Sequence, residues 1–175
     1  MIDGMYLQAV LFVHNVFGKV DYERLADKLA SGSRGRTYVF DALPADGSKR
    51  EAKQKFLDRL KYLESFQVEL GYVKSEKKTC PKCGCAIEFQ RQKKVDILLA
   101  TRLLERAEKV QKIILVAGDG DFTPAVEVAK QKAKVLLAYG EQGNTGAATQ
   151  LKQACDSRIL LDAAYFKDCQ LPNQS

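Results

Sequence analysis

The sequence predicts a three-layer α/β fold with a mainly parallel central sheet flanked by helices. Strand-like and helix-like segments alternate along the 175 residues, which is typical of parallel sheets joined by helical crossovers. The late strand-like segments are the continuous apolar runs KIILVA and KVLLAY, as expected of strands buried on both faces. We assign residues 1–170 to a single domain, because this length suffices for a core without disulfides or metal.

The N-terminal half begins abruptly for a protein of this class. Ile2 and Asp3 end the first strand, so either this strand is very short or the natural start lies upstream of Met1. An apolar helix follows Gly4, and Asp21 is the predicted N-cap of a second helix. The next elements are a strand at RTYVFDAL, an amphipathic helix at REAKQKFLDRLKYLES and a strand at FQVELGYVKS.

The C-terminal half begins with a small cysteine-containing hairpin, predicted as an insertion at about residues 74–92. Glycine-rich and polar segments separate the elements that follow. We expect residues 171–175 to be frayed. The later elements are a helix at KKVDILLATRLLERA, a strand at KIILVA, a helix at TPAVEVAKQK, a strand at KVLLAY, a loop at GEQGNTGA, a helix at ATQLKQACD and a strand at RILLD.

Composition indicates a cytoplasmic protein without membrane spans. Hydrophobic residues make up 46% of the chain and charged residues 29%, which is ordinary for a globular protein. No apolar run reaches the roughly 18 residues of a membrane helix, and the N-terminus does not resemble a signal peptide. The five cysteines are odd in number and partly clustered, which favours reduced thiols or a metal site over a disulfide framework.

The net charge of +6 is unevenly distributed. Residues 34–94 contain 15 Lys or Arg and 8 Asp or Glu, whereas the rest of the chain is nearly neutral. This distribution predicts a polyanionic partner bound beside an acidic site. The alternative is a solvated, lysine-rich helix face.

Carboxylates recur where strands and helices end. Asp3 follows the first strand, Asp119 and Asp121 follow KIILVA, and Asp96 lies in the first turn of a helix, with Asp156 as a looser candidate. The ligand crevice of an open α/β sheet lies beyond the carboxyl ends of its strands. Converging carboxylates repel one another unless a hard divalent cation binds them. The alternative is simple helix capping.

Other interpretations of GDGDFTP explain the chain less well. The motif resembles the opening of haloacid-dehalogenase-like phosphatases, but too few residues follow it for the rest of that fold. Pro124 occupies the position where an EF-hand calcium loop needs glycine. Toprim-type sites pair a similar motif with an early glutamate, and this chain has Asp3 instead.

Three segments together resemble a known family. These segments are Ile2-Asp3-Gly4, Lys94-Val95-Asp96 with the following ILLATRLL, and Ala117 to Pro124. They resemble the NYN domain, in its LabA-like branch, of the PIN-like nuclease superfamily. The chain has Met5-Tyr6 where many members have asparagine.

The resemblance implies a PIN-like fold and a metal-dependent ribonuclease. Its expected ligands for Mg²⁺ or Mn²⁺ are Asp3, Asp96, Asp119 and Asp121, which would also be the catalytic residues. The bound cation would activate water on the scissile phosphate, so no side-chain nucleophile is required. His14 is the single histidine and lies in an apolar helix, which excludes a mechanism with two histidines.

The segment TCPKCGC is half of a zinc-ribbon signature. Cys80, Cys83 and Cys85 can supply three ligands, with an acidic residue or the second subunit of a homodimer as the fourth. The alternative is a tight turn with reduced thiols.

Basic residues are candidates for backbone-led RNA binding, with single strands favoured over structured RNA. We consider two further functions beside the ribonuclease: a non-catalytic RNA-binding or regulatory module with the same fold, and a phosphatase-like hydrolase. The candidate RNA-binding residues are Arg34, Arg36, Lys49, Arg50, Lys53, Arg91, Lys93 and Lys94.

Overall fold

A computed structural model describes residues 1–32 and 34–171, with the backbone alone for residues 75 and 87–92. The strands within these ranges form one sheet. The predicted fraying concerns residues 171–175, and residues 172–175 lie outside the described ranges. In chain order the strands are β1 (Ile2–Asp3), β2 (Thr37–Ala42), β3 (Phe66–Thr79), β4 (Ala86–Lys93), β5 (Lys112–Val116), β6 (Lys134–Tyr139) and β7 (Ser157–Leu160).

The strand order is β4-β3-β2-β1-β5-β6-β7. All neighbouring strands are parallel except β3 and β4. The mainly parallel α/β sheet predicted from the sequence is therefore confirmed. β1 lies at its centre although it has only two residues, because Ile2 pairs with Val39 on one side and Val116 on the other.

Helices cover both faces of the sheet. None of those in the described ranges is long and apolar enough to cross a membrane. The sequence pattern did not predict the last helix, which follows the final strand. In chain order the helices are α1 (Gly4–Val13), α2 (Tyr22–Ala30), α3 (Gly47–Tyr62), α4 (Val95–Ala107), α5 (Thr123–Ala129), α6 (Thr149–Ala154) and α7 (Ala163–Lys167).

Two hydrophobic cores lie on opposite faces of the sheet. Successive strand residues alternate between them: Leu115 belongs to the core under α4, α5 and α6, and Val116 to the core under α1, α2, α3 and α7. Phe40 and Val39 alternate in the same way in the neighbouring strand. The two cores explain why the strands read as continuous apolar runs, and they establish the three layers.

A long β-hairpin projects from the side of the sheet where the carboxyl ends of the parallel strands lie, which we call the carboxyl edge. β2 pairs with β3 only as far as Gly71, whereas β4 pairs with β3 from Tyr72 to Thr79. These eight further residues extend roughly 25 Å at the rise of a strand. We call residues 72–93 the hairpin arm. It begins at the carboxyl edge of the sheet and extends away from it.

Candidate active site

The strand order creates a crevice between β1 and β5. The chain proceeds from β1 outward through β2 and β3, and then returns to β5 beside β1 before it proceeds outward the other way. This reversal is the topological switch point at which ligands bind in open α/β sheets. Asp3 ends β1, and Asp119 lies three residues after the end of β5. Two predicted ligands therefore flank the crevice.

Asp3 is the most buried of the predicted carboxylates. Its Oδ1 accepts a hydrogen bond of 3.1 Å from the Tyr6 amide, so Asp3 is also the N-cap of α1. Burial, then the negative charges of Asp96 and Asp41, raise the pKa of Asp3 from 3.8 to about 6, although the Tyr6 hydrogen bond opposes the shift. Asp3 therefore lies in an excess of negative charge that a cation would relieve.

Asp119 and Asp121 lie on a short turn after β5. Oδ1 of Asp119 accepts a hydrogen bond of 2.9 Å from the Asp121 amide and caps a 3₁₀ turn at Gly120–Phe122. The buried Phe122 ring fixes this turn to the core, whereas both carboxylates are exposed. An ionised carboxylate has about four acceptor sites. The hydrogen bond from the Asp121 amide uses one of those of Asp119, so the others can still bind a cation.

Asp96 reaches the same crevice from the first turn of α4. Burial, then the charges of Asp119 and Asp121, raise its pKa. The negative charge of Asp96 in turn contributes to the raised pKa of Asp3. Asp96 is thus within electrostatic range of the three other predicted aspartates. Capping alone does not explain them, because neither Asp96 nor Asp121 caps a helix through its side chain.

Asp41 is an acidic residue of this site that the sequence interpretation missed. It is 1% exposed at the end of β2, and Lys53 Nζ lies 2.7 Å from its Oδ2. Burial raises its pKa although Lys53 opposes the shift. A Cβ on Gly4 would overlap Oδ2 of Asp41, which explains why glycine follows Asp3. The rule that pointed to Asp3, a carboxylate at the end of a buried strand, would have found Asp41 in RTYVFDAL.

Tyr6 lies in the region where many members of the family that the sequence resembles have asparagine. Its hydroxyl donates a 2.6 Å hydrogen bond to the Thr145 carbonyl and accepts one of 3.0 Å from the Gly140 amide. A Cβ on Gly118 would overlap the Tyr6 ring. Tyr6 therefore connects α1 to the loops after β5 and β6, and burial raises its pKa to about 12.

The predicted basic residues divide between the two edges of the sheet. Arg34 and Arg36 precede β2, at the edge opposite the carboxylates, and Arg34 forms ion pairs of 3.5 Å with Glu23 and 3.0 Å with Asp27. The structure does not bring these two arginines to the crevice.

Lys49, Arg50 and Lys53 lie in the first two turns of α3, close to the carboxyl end of β2. Of these, Lys53 pairs with buried Asp41, whereas Lys49 and Arg50 are exposed. Lys49 and Arg50 therefore add positive charge near the carboxyl end of β2, the strand next to β1, although Lys49 is also 3.8 Å from Asp46.

The end of the hairpin arm also lies at the carboxyl edge. Lys93 pairs with Glu76 at 3.2 Å, and Lys94 Nζ lies 5.4 Å from the centre of the half-exposed Tyr72 ring. Lys94 has a left-handed backbone, with φ of 71°, which is uncommon for a residue other than glycine. The side chain of Arg91 lies outside the described part of the chain.

Asp156, the looser candidate, and His14, which was not a candidate, both lie away from the crevice. Asp156 precedes β7, and its Oδ2 accepts a 2.7 Å hydrogen bond from the Val135 amide at the opposite edge of the sheet. Its assignment to the acidic cluster was therefore wrong. His14 lies at the far end of α1, with its ring centre 5.8 Å from that of Phe166.

Within the described ranges, no three or more His, Cys, Asp or Glu residues are arranged to hold a metal ion. Mg²⁺, however, usually keeps several waters and uses one or two carboxylates together with substrate phosphates. Carboxylate oxygens are the donors that Mg²⁺ and Mn²⁺ prefer. The donor set, together with the raised pKa values of Asp3 and Asp96, fits a hydrated cation of this kind.

Comparisons with known proteins agree with this fold. A crystal structure of a protein of unknown function from Vibrio parahaemolyticus is similar to the chain, with a TM-score of 0.53 and 18% identity over 95% of this chain and 91% of that one. At such identity the likeness concerns the fold alone. A search of curated proteins gave no significant match. The NYN domain model matches residues 2–162, which span both sides of the crevice. The chain therefore belongs to the NYN domain family.

Proposed function

We propose that the chain is a ribonuclease that hydrolyses RNA phosphodiester bonds with Mg²⁺ or Mn²⁺. One observation supports this proposal above all. Aspartates from three separate segments, after β1, after β5 and at the start of α4, lie within electrostatic range at the switch point of the sheet. Membership of the NYN domain family, which is PIN-like, agrees with this interpretation.

The aspartates have different surroundings and therefore different roles. Asp3 is partly buried and fixed by the Tyr6 amide, so it forms the base of the site. Asp96, Asp119 and Asp121 are exposed and face the solvent from which RNA arrives. These four residues would hold the cation. When bound, the cation would lower the pKa of a coordinated water and screen the charge of the scissile phosphate.

The surroundings of the crevice suit an extended polyanion. Lys49 and Arg50 on α3 lie on one side, and Lys94 lies at the start of α4. Cations in these positions attract the phosphate backbone without reading its sequence. The exposed Tyr72 ring beside Lys94 provides a surface on which an unpaired base can stack. We therefore propose single-stranded RNA as the preferred substrate.

Cleavage of a labelled single-stranded RNA tests the proposal. We expect cleavage with Mg²⁺ or Mn²⁺ and none with a chelator. Asp119→Asn and Asp96→Asn should each lower the rate at least about 100-fold, or about 3 kcal/mol of transition-state stabilisation. Asp168→Asn is the matched control, because Asp168 pairs with Lys28 on the surface and should retain activity. Equal rates for the wild type and both crevice variants would contradict the proposal.

The alternative is a non-catalytic RNA-binding module with the same fold. It is favoured by the lack of a preformed cation cage among the described residues and by the engagement of Tyr6 in structural hydrogen bonds. Under this alternative the wild type binds RNA but does not cut it with any divalent ion. Release of phosphate from small esters would instead favour a phosphatase-like hydrolase.

Several finer assignments stay predictions. They are membership of the LabA-like branch, a single domain over residues 1–170, cytoplasmic localisation and a homodimer.

A further inference from the structure

The tip of the hairpin arm gathers three of the five cysteines. The arm ends in the loop between β3 and β4, residues 80–85. Cys80 is partly buried, whereas Cys83 and Cys85 are exposed. The two remaining cysteines, Cys155 and Cys169, are buried in the cores. The tip is therefore the place where accessible thiols are concentrated.

The backbone of the loop is closed by two hydrogen bonds. The Cys80 amide donates to the Cys85 carbonyl at 2.9 Å, and the Gly84 amide donates to the Cys80 carbonyl at 2.9 Å. Gly84 has φ of 70°, a conformation that glycine adopts without steric cost. These bonds place the first and last cysteines opposite each other, with Cys83 on the turn between them.

The thiols are close to one another in this loop. The Cys85 thiol donates to the Cys83 carbonyl at 3.8 Å, and the thiols of Cys80 and Cys85 both interact with the sulfur of Cys83. The three sulfurs do not surround a common point in this structure. Rotation about the Cα–Cβ bonds moves each sulfur between staggered positions without changing the backbone.

We propose that Cys80, Cys83 and Cys85 bind one Zn²⁺ at the tip of the hairpin arm, with the fourth coordination position open to solvent. Thiolates are the preferred ligands of zinc in small loops with this Cys-x-x-Cys spacing. On binding, three S–H groups lose their protons to the buffer and three Zn–S bonds form. Residues 80–85 contain no other cysteine, histidine or carboxylate, so the fourth position is not filled from within this loop.

The surroundings favour such a site. Three thiolates and one Zn²⁺ have a net charge of −1, and Lys77 before the loop and Lys82 within it supply positive charge. The backbone of the loop is already closed by its hydrogen bonds, which limits the ordering that binding requires. The ion would fix the end of an arm that starts beside Asp96. The proposal does not depend on the nuclease activity.

Titration of the reduced full-length chain with Co²⁺ and Zn²⁺ tests the site. Thiolate-bound Co²⁺ absorbs in the near ultraviolet, a signal that carboxylate ligands do not give. We expect saturation at one equivalent and loss of the signal on addition of Zn²⁺. Cys83→Ser should weaken binding at least about tenfold, and the triple serine variant should abolish the signal. Cys155→Ser is the matched control and should bind as the wild type does.

Protection of the thiols in the wild type tests the zinc site even if a variant misfolds. In the wild type, Zn²⁺ should protect the three tip thiols from a thiol reagent, and circular dichroism should show that each variant is folded. Equal thiol reactivity with and without Zn²⁺ would overturn the proposal. So would a Co²⁺ signal that persists in the folded triple variant, or a Cys80–Cys83 disulfide that forms in the presence of Zn²⁺.

Discussion

Asp3→Asn should stabilise the folded chain in the absence of divalent cations. Asp3 is partly buried, and the nearby Asp96 and Asp41 are also negative. Without a cation, its ionised carboxylate therefore destabilises the folded state. Asparagine has the same shape and caps a helix about as well as aspartate. The hydrogen bond from the Tyr6 amide should therefore remain in the variant.

The expected magnitude follows from the pKa of Asp3. A rise from 3.8 to about 6 corresponds to about 3 kcal/mol at 1.36 kcal/mol per pKa unit. This net shift already includes the opposing hydrogen bond from the Tyr6 amide at the N-terminus of α1. We therefore expect Asp3→Asn to raise the free energy of unfolding by up to about 3 kcal/mol at pH 8.

The gain should depend on pH in a defined direction. The folded state binds the Asp3 proton more tightly than the unfolded state, so wild-type stability falls as the pH rises from about 4 to about 6. Asparagine does not titrate. The difference between the variant and the wild type should therefore be largest above pH 6 and disappear below about pH 4.

Urea unfolding followed by circular dichroism, in a chelating buffer, measures this difference at pH 4, 6 and 8. Asp168→Asn is the control, since hydrogen bonding to Lys28 lowers the pKa of this exposed carboxyl; it should not gain stability at pH 8. With Mn²⁺ the order should reverse, because the cation stabilises only the form that binds it. An unchanged or lower stability of Asp3→Asn at pH 8 without metal would refute the reasoning.

Two further substitutions test the packing around the crevice. Lys53→Met leaves Asp41 buried without its ion-pair partner. It should lower the free energy of unfolding, measured by urea unfolding, by about 3–5 kcal/mol. A decrease of less than about 1 kcal/mol would contradict the claim that the buried Asp41 depends on Lys53. Gly118→Ala places a Cβ against the Tyr6 ring and should cost about 1–3 kcal/mol, visible as a lower thermal midpoint; an unchanged midpoint would show that the ring can move aside.

The sequence pattern predicted the layers of the fold because both cores depend on periodicity. Continuous apolar runs such as KIILVA require burial on both faces, and Leu115 and Val116 do point into different cores. The last helix, α7, was missed because its five residues are too few to show a helical period. The hairpin arm covers the hairpin predicted at about residues 74–92, and its first strand is continuous with β3.

The candidate site was predictable where a carboxylate directly follows a strand. Asp3 and Asp119 are of this kind, and the strand order brings them to one crevice. Asp41 was missed because RTYVFDAL was interpreted only as a strand, although the carboxylate near its end fits the same rule, and the ion pair with Lys53 shows where it lies. Charge alone does not show whether a residue lies at the amino or the carboxyl ends of the strands. Arg34, which lies at the amino ends, was therefore grouped with RNA-binding candidates at the carboxyl ends.

A crystal soaked with Mn²⁺ tests the central claim most directly. The anomalous signal of manganese locates the ion without assumptions about activity. We expect one peak in the crevice between β1 and β5, within coordination distance, about 2.1 Å, of carboxylate oxygens from at least two of Asp3, Asp96, Asp119 and Asp121. A crevice without a peak at saturating Mn²⁺, or carboxylates that point away from a common centre, would contradict it.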